Sequence, residues 1–208
     1  DDLDYFMMIF SDRFVWVPFY ASFIFVLLKN FPVKVVMSTI VVITLIILFS
    51  DQTASGILKP LVARMRPSNP DNPISPMVHV VQGYRGGRYG FPSSHAANAW
   101  SMAFFAQYLV RRSKLTIFLC LWALITSYSR MYLGVHYFGD ILIGTLIGFL
   151  YATLYYYIFQ YFLRKHTERF KPNHDIRFAS VPIITGLVSI WVIICTSGIL
   201  SFYSIPLR

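Results

Sequence analysis

The run ILIGTLIGFLYATLYYYIFQYFL, Ile141 to Leu163, carries no charged residue from end to end. A bilayer core about 30 Å thick needs about 20 residues of helix at 1.5 Å each, and this run meets that length unaided. It reads as a membrane span, and it sets the frame for the rest of the chain. Outward from it lie further uncharged stretches: Phe14 to Leu28, Val35 to Ser50, Tyr89 to Val110, Leu115 to Ser129 and Phe178 to Leu207. The third and last of these are also long enough. The other three are short, but they end at Lys, Arg or Asp side chains that can reach the interface. The expectation is an all-α, polytopic membrane helical bundle with about six transmembrane helices, forming one integral-membrane domain over residues 1–208. No internal repeat interrupts it.

Composition points the same way. The chain is 56% hydrophobic and 18% aromatic but only 13% charged, against about 25% charged in a soluble domain. An ordinary water-soluble enzyme is therefore disfavoured. The formal charge of +9 calls for an anionic partner, and the lipid bilayer or a phosphorylated lipid substrate fits better than nucleic acid. The basic residues sit between apolar runs rather than along one polar face. Cys120 and Cys195 both lie inside apolar runs, with neither disulfide nor metal-ligand spacing.

Loop charge orients the bundle. Lys29 and Lys34, then Arg111, Arg112 and Lys114, then Arg164, Lys165, Arg169, Lys171 and Arg177 occupy the first, third and fifth connections. By the positive-inside rule that side is cytoplasmic. The acidic start and the second and fourth connections fall opposite. The cluster Tyr155, Tyr156, Tyr157, Tyr161 and Phe162 precedes Arg164 and reads either as an interfacial aromatic belt or as bundle packing.

The second connection, Pro67 to Pro92, holds five prolines and four glycines and cannot be a membrane helix. It is a surface loop over residues 67–92, long enough to expect function of it. Arg85 and Arg88 flank Gly86 and Gly87 there. They are candidates for meeting an anionic head group, or simply solvated arginines.

Three blocks place ionisable residues where hydropathy asks for Leu or Phe, and such residues beside spans are functional hypotheses by default. In KPLVARMRP, Lys59 to Pro67, a continuing helix would put Lys59 and Arg66 two turns apart on one face. A point charge and a planar fork suit a phosphate; two snorkelling anchors are the plainer reading. In FPSSH, Phe91 to His95, the Pro and the two Ser read as a helix start, where unpaired N–H groups favour an anion. His95 adds a proton donor or acceptor in the first turn. In SRMYLGVHYFGD, Ser129 to Asp140, a helical spacing of four lets Asp140 hold the Nδ1–H of His136 and leave Nε2 free as a nucleophile. Arg130 adds another cation.

Together the blocks resemble the signature of the type 2 phosphatidic acid phosphatase superfamily: KX6RP, then PSGH, then SRX5HX3D. Every spacing is kept over the motif core 59–140, and the one departure is Ser94 where the pattern has Gly. The resemblance implies a metal-independent phosphatase with no cofactor, working through a phosphohistidine. By motif position, His136 is similar to the nucleophile, Asp140 to its orienter and His95 to the general acid. Lys59, Arg66, Ser93, Ser94 and Arg130 correspond to the groups that hold the phosphoryl oxygens. It further implies a lipid phosphate or pyrophosphate substrate. Undecaprenyl pyrophosphate ranks first, ahead of lipid A phosphate, phosphatidylglycerol phosphate and phosphatidate. The expected location is a bacterial inner membrane with the site facing the periplasm or outside. Vanadate-dependent haloperoxidases share these motifs but are soluble in the main, which the six apolar runs oppose. A small transporter or channel would scatter its charges at mid-span, whereas here they lie at helix ends.

Overall fold

The computed structural model of the chain describes residues 2–166 and 176–206, with side chains up to Leu163 in the first segment. Arg169 and Lys171 of the expected basic loop lie outside the described residues, as do Leu207 and the side chains of Arg164 and Lys165. The elements are α1 (Asp2–Ser11), α2 (Val17–Asn30), α3 (Val33–Asp51), α4 (Lys59–Val62), α5 (Ser94–Val110), α6 (Ser113–Tyr132), α7 (Phe138–His166) and α8 (Val181–Phe202). A π-helical stretch, Gln52–Leu58, joins α3 to α4 without a break.

Among the described residues, four helices are long and apolar enough to cross a membrane: α3 with its continuation to Val62, α6, α7 and α8. The protein is an integral-membrane helical bundle. Two of the roughly six expected spans lie outside these four. The Phe14 to Leu28 run begins in a 3₁₀ turn whose Asp12 side chain accepts from the Phe14 N–H at 2.9 Å. Its helix, α2, is bent by 68° from α1, so the two form at most one broken span. The Tyr89 to Val110 run becomes helix only at Ser94, because the segment with Pro92 belongs to the loop. Its helix, α5, has 17 residues, or about 25 Å, at the short end of the range for crossing a hydrocarbon core.

That short helix is nevertheless the centre of the molecule, packed against α3, α6 and α7. Its closest neighbour is α7, and two glycines permit the approach. A Cβ at Gly144 would collide with the Ser93 carbonyl, and one at Gly148 with the Ala97 carbonyl. Small residues let helix backbones come together in a membrane, where dispersion rather than water exclusion drives packing. Beside α5, an aromatic cluster fixes α2 against α6, with Trp16 at 5.7 Å from Trp122 and Phe19 also at 5.7 Å from Trp122. The tyrosine cluster on α7 divides between its two readings. Tyr156 is buried and Tyr155 stacks on Phe49 at 5.8 Å, while Tyr157, Tyr161 and Phe162 face outward.

Candidate active site

The three motifs meet at one end of the bundle, where α3–α4, α5 and α7 bring their ends together. The first motif does so differently from the helical expectation. The helix ends at Ala63, whose φ of 51° is left-handed, and Met65 then forms an isolated antiparallel bridge with Tyr89. Lys59 and Arg66 therefore do not share a helical face; Arg66 reaches the site from extended chain. Lys59 stays on the helix, where its ammonium donates to Ser55 Oγ at 3.0 Å and to Ser94 Oγ at 3.3 Å. This ties the first motif to the second.

In the second motif, Ser93 caps α5, its Oγ accepting from the Ala96 N–H at 3.3 Å, and its own N–H donates to the Asp140 carbonyl at 3.0 Å. Ser94, at the position where the pattern has Gly, is the first residue of a regular helix and is not among the positive-φ residues. It is unstrained, and its hydroxyl adds a partner for Lys59. His95 follows on the cavity wall.

In the third motif, His136 and Asp140 pair as expected in partner but not in structure. His136 lies in the turn before α7, set by Gly134 at a φ of 68°. A side chain there would also strike Val78 and the His79 carbonyl. Asp140, in the first turn of α7, accepts from the Tyr137 N–H at 2.8 Å and meets His136 Nδ1 at 3.3 Å. On the other side of the ring, Nε2 lies 3.2 Å from Arg66 Nη1. A guanidinium can only donate, so Nε2 carries a lone pair and the ring proton sits on Nδ1, towards Asp140. Arg66 is also held by the Val135 carbonyl at 2.9 Å. Burial, reinforced by Arg66, Arg130 and Lys59, holds the His136 pKa well below its usual 6.5, so the ring is neutral at physiological pH.

Arg130 completes the cation set. One of its nitrogens donates to Tyr84 Oη at 2.9 Å and the other to Ser11 Oγ at 2.5 Å. Arg66 and Arg130 are 8% and 4% exposed, yet the Nε of each has no partner among the described residues. Buried donors are ordinarily satisfied, and two unpaired guanidinium N–H groups beside a neutral imidazole are what a bound phosphoryl group would satisfy. Among the described residues, no three His, Cys, Asp or Glu side chains converge as metal ligands would.

The two loop arginines, both exposed, are held differently. Arg85 donates through Nη1 to the Ser68 carbonyl and to Ser75 Oγ, the latter at 3.1 Å, which fixes its side chain against the loop. Arg88 stays at the surface against Tyr89, 5.3 Å from the ring. His79 has a partner that spacing does not reveal: its Nε2 lies 2.7 Å from Asp4, which also accepts from Tyr132 Oη. The sequence reading also passed over Arg64. Its guanidinium pairs with the oxygen of Asp140 that His136 leaves free, and it is sandwiched by Phe91 at 4.6 Å and Tyr137 at 5.2 Å. Its place inside the first motif was the only available signal.

A bundle of apolar helices with a buried imidazole, a carboxylate and fixed cations at one end defines a membrane-embedded phosphoric ester hydrolase. Comparison with known proteins gives it a family: residues 35–164 match the PAP2 superfamily, and the chain belongs to it. The chain is 44% identical over 194 residues to a lipid A 4'-phosphatase of Bacteroides thetaiotaomicron, covering 90% of this chain and 84% of that one. It is 35% identical over 160 residues to a lipid A 4'-phosphatase of Porphyromonas gingivalis, covering 76% and 67%. A dihydrosphingosine 1-phosphate phosphatase of Schizosaccharomyces pombe is 27% identical over 171 residues, covering 73% and 39%. No solved structure matches significantly.

Proposed function

We propose that the protein removes a phosphate monoester from an acylated amino-sugar lipid of the lipid A type, through a phosphohistidine on His136. The observation that carries the reaction is the orientation of His136, with Nδ1 on Asp140 and the lone pair of Nε2 beside Arg66. What supports the substrate is the pair of relatives named lipid A 4'-phosphatase, one of them similar across most of both chains. That similarity moves lipid A phosphate ahead of undecaprenyl pyrophosphate, which the motifs alone ranked first.

In the first step Nε2 attacks phosphorus, a P–N bond forms, the P–O bond to the lipid breaks, and the departing oxygen takes a proton from His95. Lys59, Arg66 and Arg130 hold the equatorial oxygens, with Ser93, Ser94 and the N-terminus of α5 beside them. Burial first, and then the same cations, oppose a charge on His95 before substrate binds; the incoming phosphate offsets the cations and favours the protonated acid. In the second step His95 takes a proton from water, the oxygen attacks phosphorus and the P–N bond breaks. Phosphate leaves and His136 is neutral again. These side chains supply the charge without a divalent ion, and the motif loops face the periplasm or outside.

The experiment is phosphate release from purified protein, with lipid A and undecaprenyl pyrophosphate offered side by side and chelator present. Expected are loss of one phosphate from lipid A, an acid-labile phosphoprotein, and neither product from His136→Ala. Hydrolysis of undecaprenyl pyrophosphate with lipid A untouched would overturn the substrate. Activity lost to chelator and restored by a metal would overturn the mechanism.

A further inference from the structure

We propose that the cavity opening from His95 seats one acyl chain of the substrate, carried by the departing alcohol, and limits that chain to the depth of a single leaflet. This rests on the lipid phosphatase reading above and narrows its substrate to an acylated phosphate rather than a polyprenyl one.

The cavity has a volume of about 430 Å³. Its upper end is polar, with Ser94, His95 and Asn98 from α5, Ser11 and Arg13 near the α1–α2 bend, and Asp51 from α3. Below that rim the walls are aromatic and aliphatic, and Leu27, Ile40 and Met102 form the deep end. From Asp51 to Ile40 on α3, and from Trp16, just before α2, to Leu27 on it, the depth is about 16 Å at 1.5 Å per residue. That is close to half of a hydrocarbon core of about 30 Å. Polar above and apolar below, the slot has the profile of a single lipid chain under its head group.

Its position assigns it to the leaving side. In-line displacement puts nucleophile and leaving oxygen on opposite sides of phosphorus. His95 lines this cavity and His136 does not, so the group that departs towards the general acid enters the slot. The way in is lateral: Ile24 of α2 and Ile47 of α3 both line the cavity, yet each is 39% exposed, so the slot opens towards lipid between these helices.

The rim favours an acyl linkage over an isoprenoid. Asn98 Oδ1 is buried without a partner among the described residues, and the Asp51 carboxylate lies on the same rim. Asn98 Oδ1 asks for a donor, since a buried polar group left unpaired is costly, and Asp51, which accepts from Ser55 Oγ at 3.3 Å, has acceptor capacity to spare. A hydroxyl or amide N–H of an acylated sugar supplies such a donor. A polyprenyl chain has none to give, and its length would have to run back out through the side opening.

The test is a chain-length series in detergent micelles: monoacylglycerol phosphates with acyl chains of graded length, the matching N-acylglucosamine phosphates, and a polyprenyl phosphate. The readout is the ratio of kcat/KM for long chains to that for short ones. Met102→Trp and Thr44→Trp raise the floor or narrow the wall and should lower that ratio by about 10-fold or more, the discrimination a fitted apolar pocket gives. Met102→Ala, which deepens the slot and avoids overpacking, should move the optimum to longer chains. A ratio identical in wild type and all three variants would overturn the proposal, as would preference for the polyprenyl phosphate over every acyl substrate. Because the glycerol series measures chain length by itself, inactivity on the glucosamine series alone would refute the amino-sugar substrate while the slot stands.

Discussion

Arg64 and His136 divide one carboxylate between them, each taking one oxygen of the fully buried Asp140. A carboxylate so shared pulls less on the imidazole Nδ1–H than one committed to it alone, and the Phe91–Arg64–Tyr137 stack keeps its plane from turning. This sharing predicts that Arg64 is a positioning residue that also restrains the basicity of His136. If Arg64→Gln frees Asp140 for the imidazolium, the His136 pKa rises although Arg66, Arg130, Lys59 and His95 still oppose protonation. Protonated imidazole is no nucleophile, so the acid limb of kcat/KM, expected below pH 6.5 in the wild type because the His136 pKa is lowered, should move to higher pH. The rate should fall by about 10–100-fold, the cost of a small misplacement of a reacting group, and Arg64→Lys should recover part of it. Comparing variants on one substrate cancels that substrate's own ionisation. An unmoved limb at reduced rate would leave Arg64 a packing role only. The two histidines separate by leaving group. His136→Ala should abolish turnover of every ester, whereas His95→Ala should damage alkyl phosphates far more than an activated aryl phosphate, which departs without a proton. Equal damage to both esters would remove His95 from the acid role.

Asp140 and Ser93 can meet only because α5 and α7 lie almost backbone to backbone, and this contact hangs on Gly144 and Gly148. Gly148→Val must push apart two main chains rather than a flexible side chain, and should cost about 1–3 kcal/mol together with most of the activity. Gly198→Ala on α8, where an added Cβ meets nothing within 4 Å, should leave both intact. Thermal unfolding in detergent, read beside phosphate release, checks the pair, and a tolerant Gly148 would mean the helices are not held by this contact. Hydropathy alone made α3, α6, α7 and α8 legible, because a membrane span is a property of a continuous run. The start of α5 was legible too, since Pro92 and Ser93 are local signals. The end of the helix at Ala63 was not: it follows from a left-handed residue and a bridge to Tyr89 far along the chain. Arg64 stayed hidden for the same reason, its partner Asp140 being 76 residues away. The glycine pair on α7, spaced by four in an apolar helix, could have been found from the sequence.

The ends of the bundle differ in what their charges are doing. At the end opposite the site, the α2–α3 and α5–α6 connections meet the chain just before α8, with Asn30 bonded to the backbone of Arg177 at 2.7 and 2.8 Å and Arg112 donating to the Ile176 carbonyl at 3.4 Å. Arg111 stands there in a short loop, with Lys29, Lys34 and Lys114 in the helix turns beside such loops, the setting in which positive charge fixes topology. The site end also carries many cations, but Arg64, Arg66, Arg85 and Arg130 are bound to Asp140, Val135, Ser68 and Tyr84. Held inside and beneath a long loop, they weigh little in the same rule. The site end should therefore face away from the cytoplasm. With Cys120 and Cys195 replaced by Ala, Met77→Cys in the 80% exposed tip of the long loop should react with a membrane-impermeant maleimide on intact spheroplasts. Ser113→Cys at the start of α6 should react only after permeabilisation. Reaction of Ser113→Cys on intact spheroplasts, with Met77→Cys protected, would invert the protein and put the phosphate it releases into the cytoplasm.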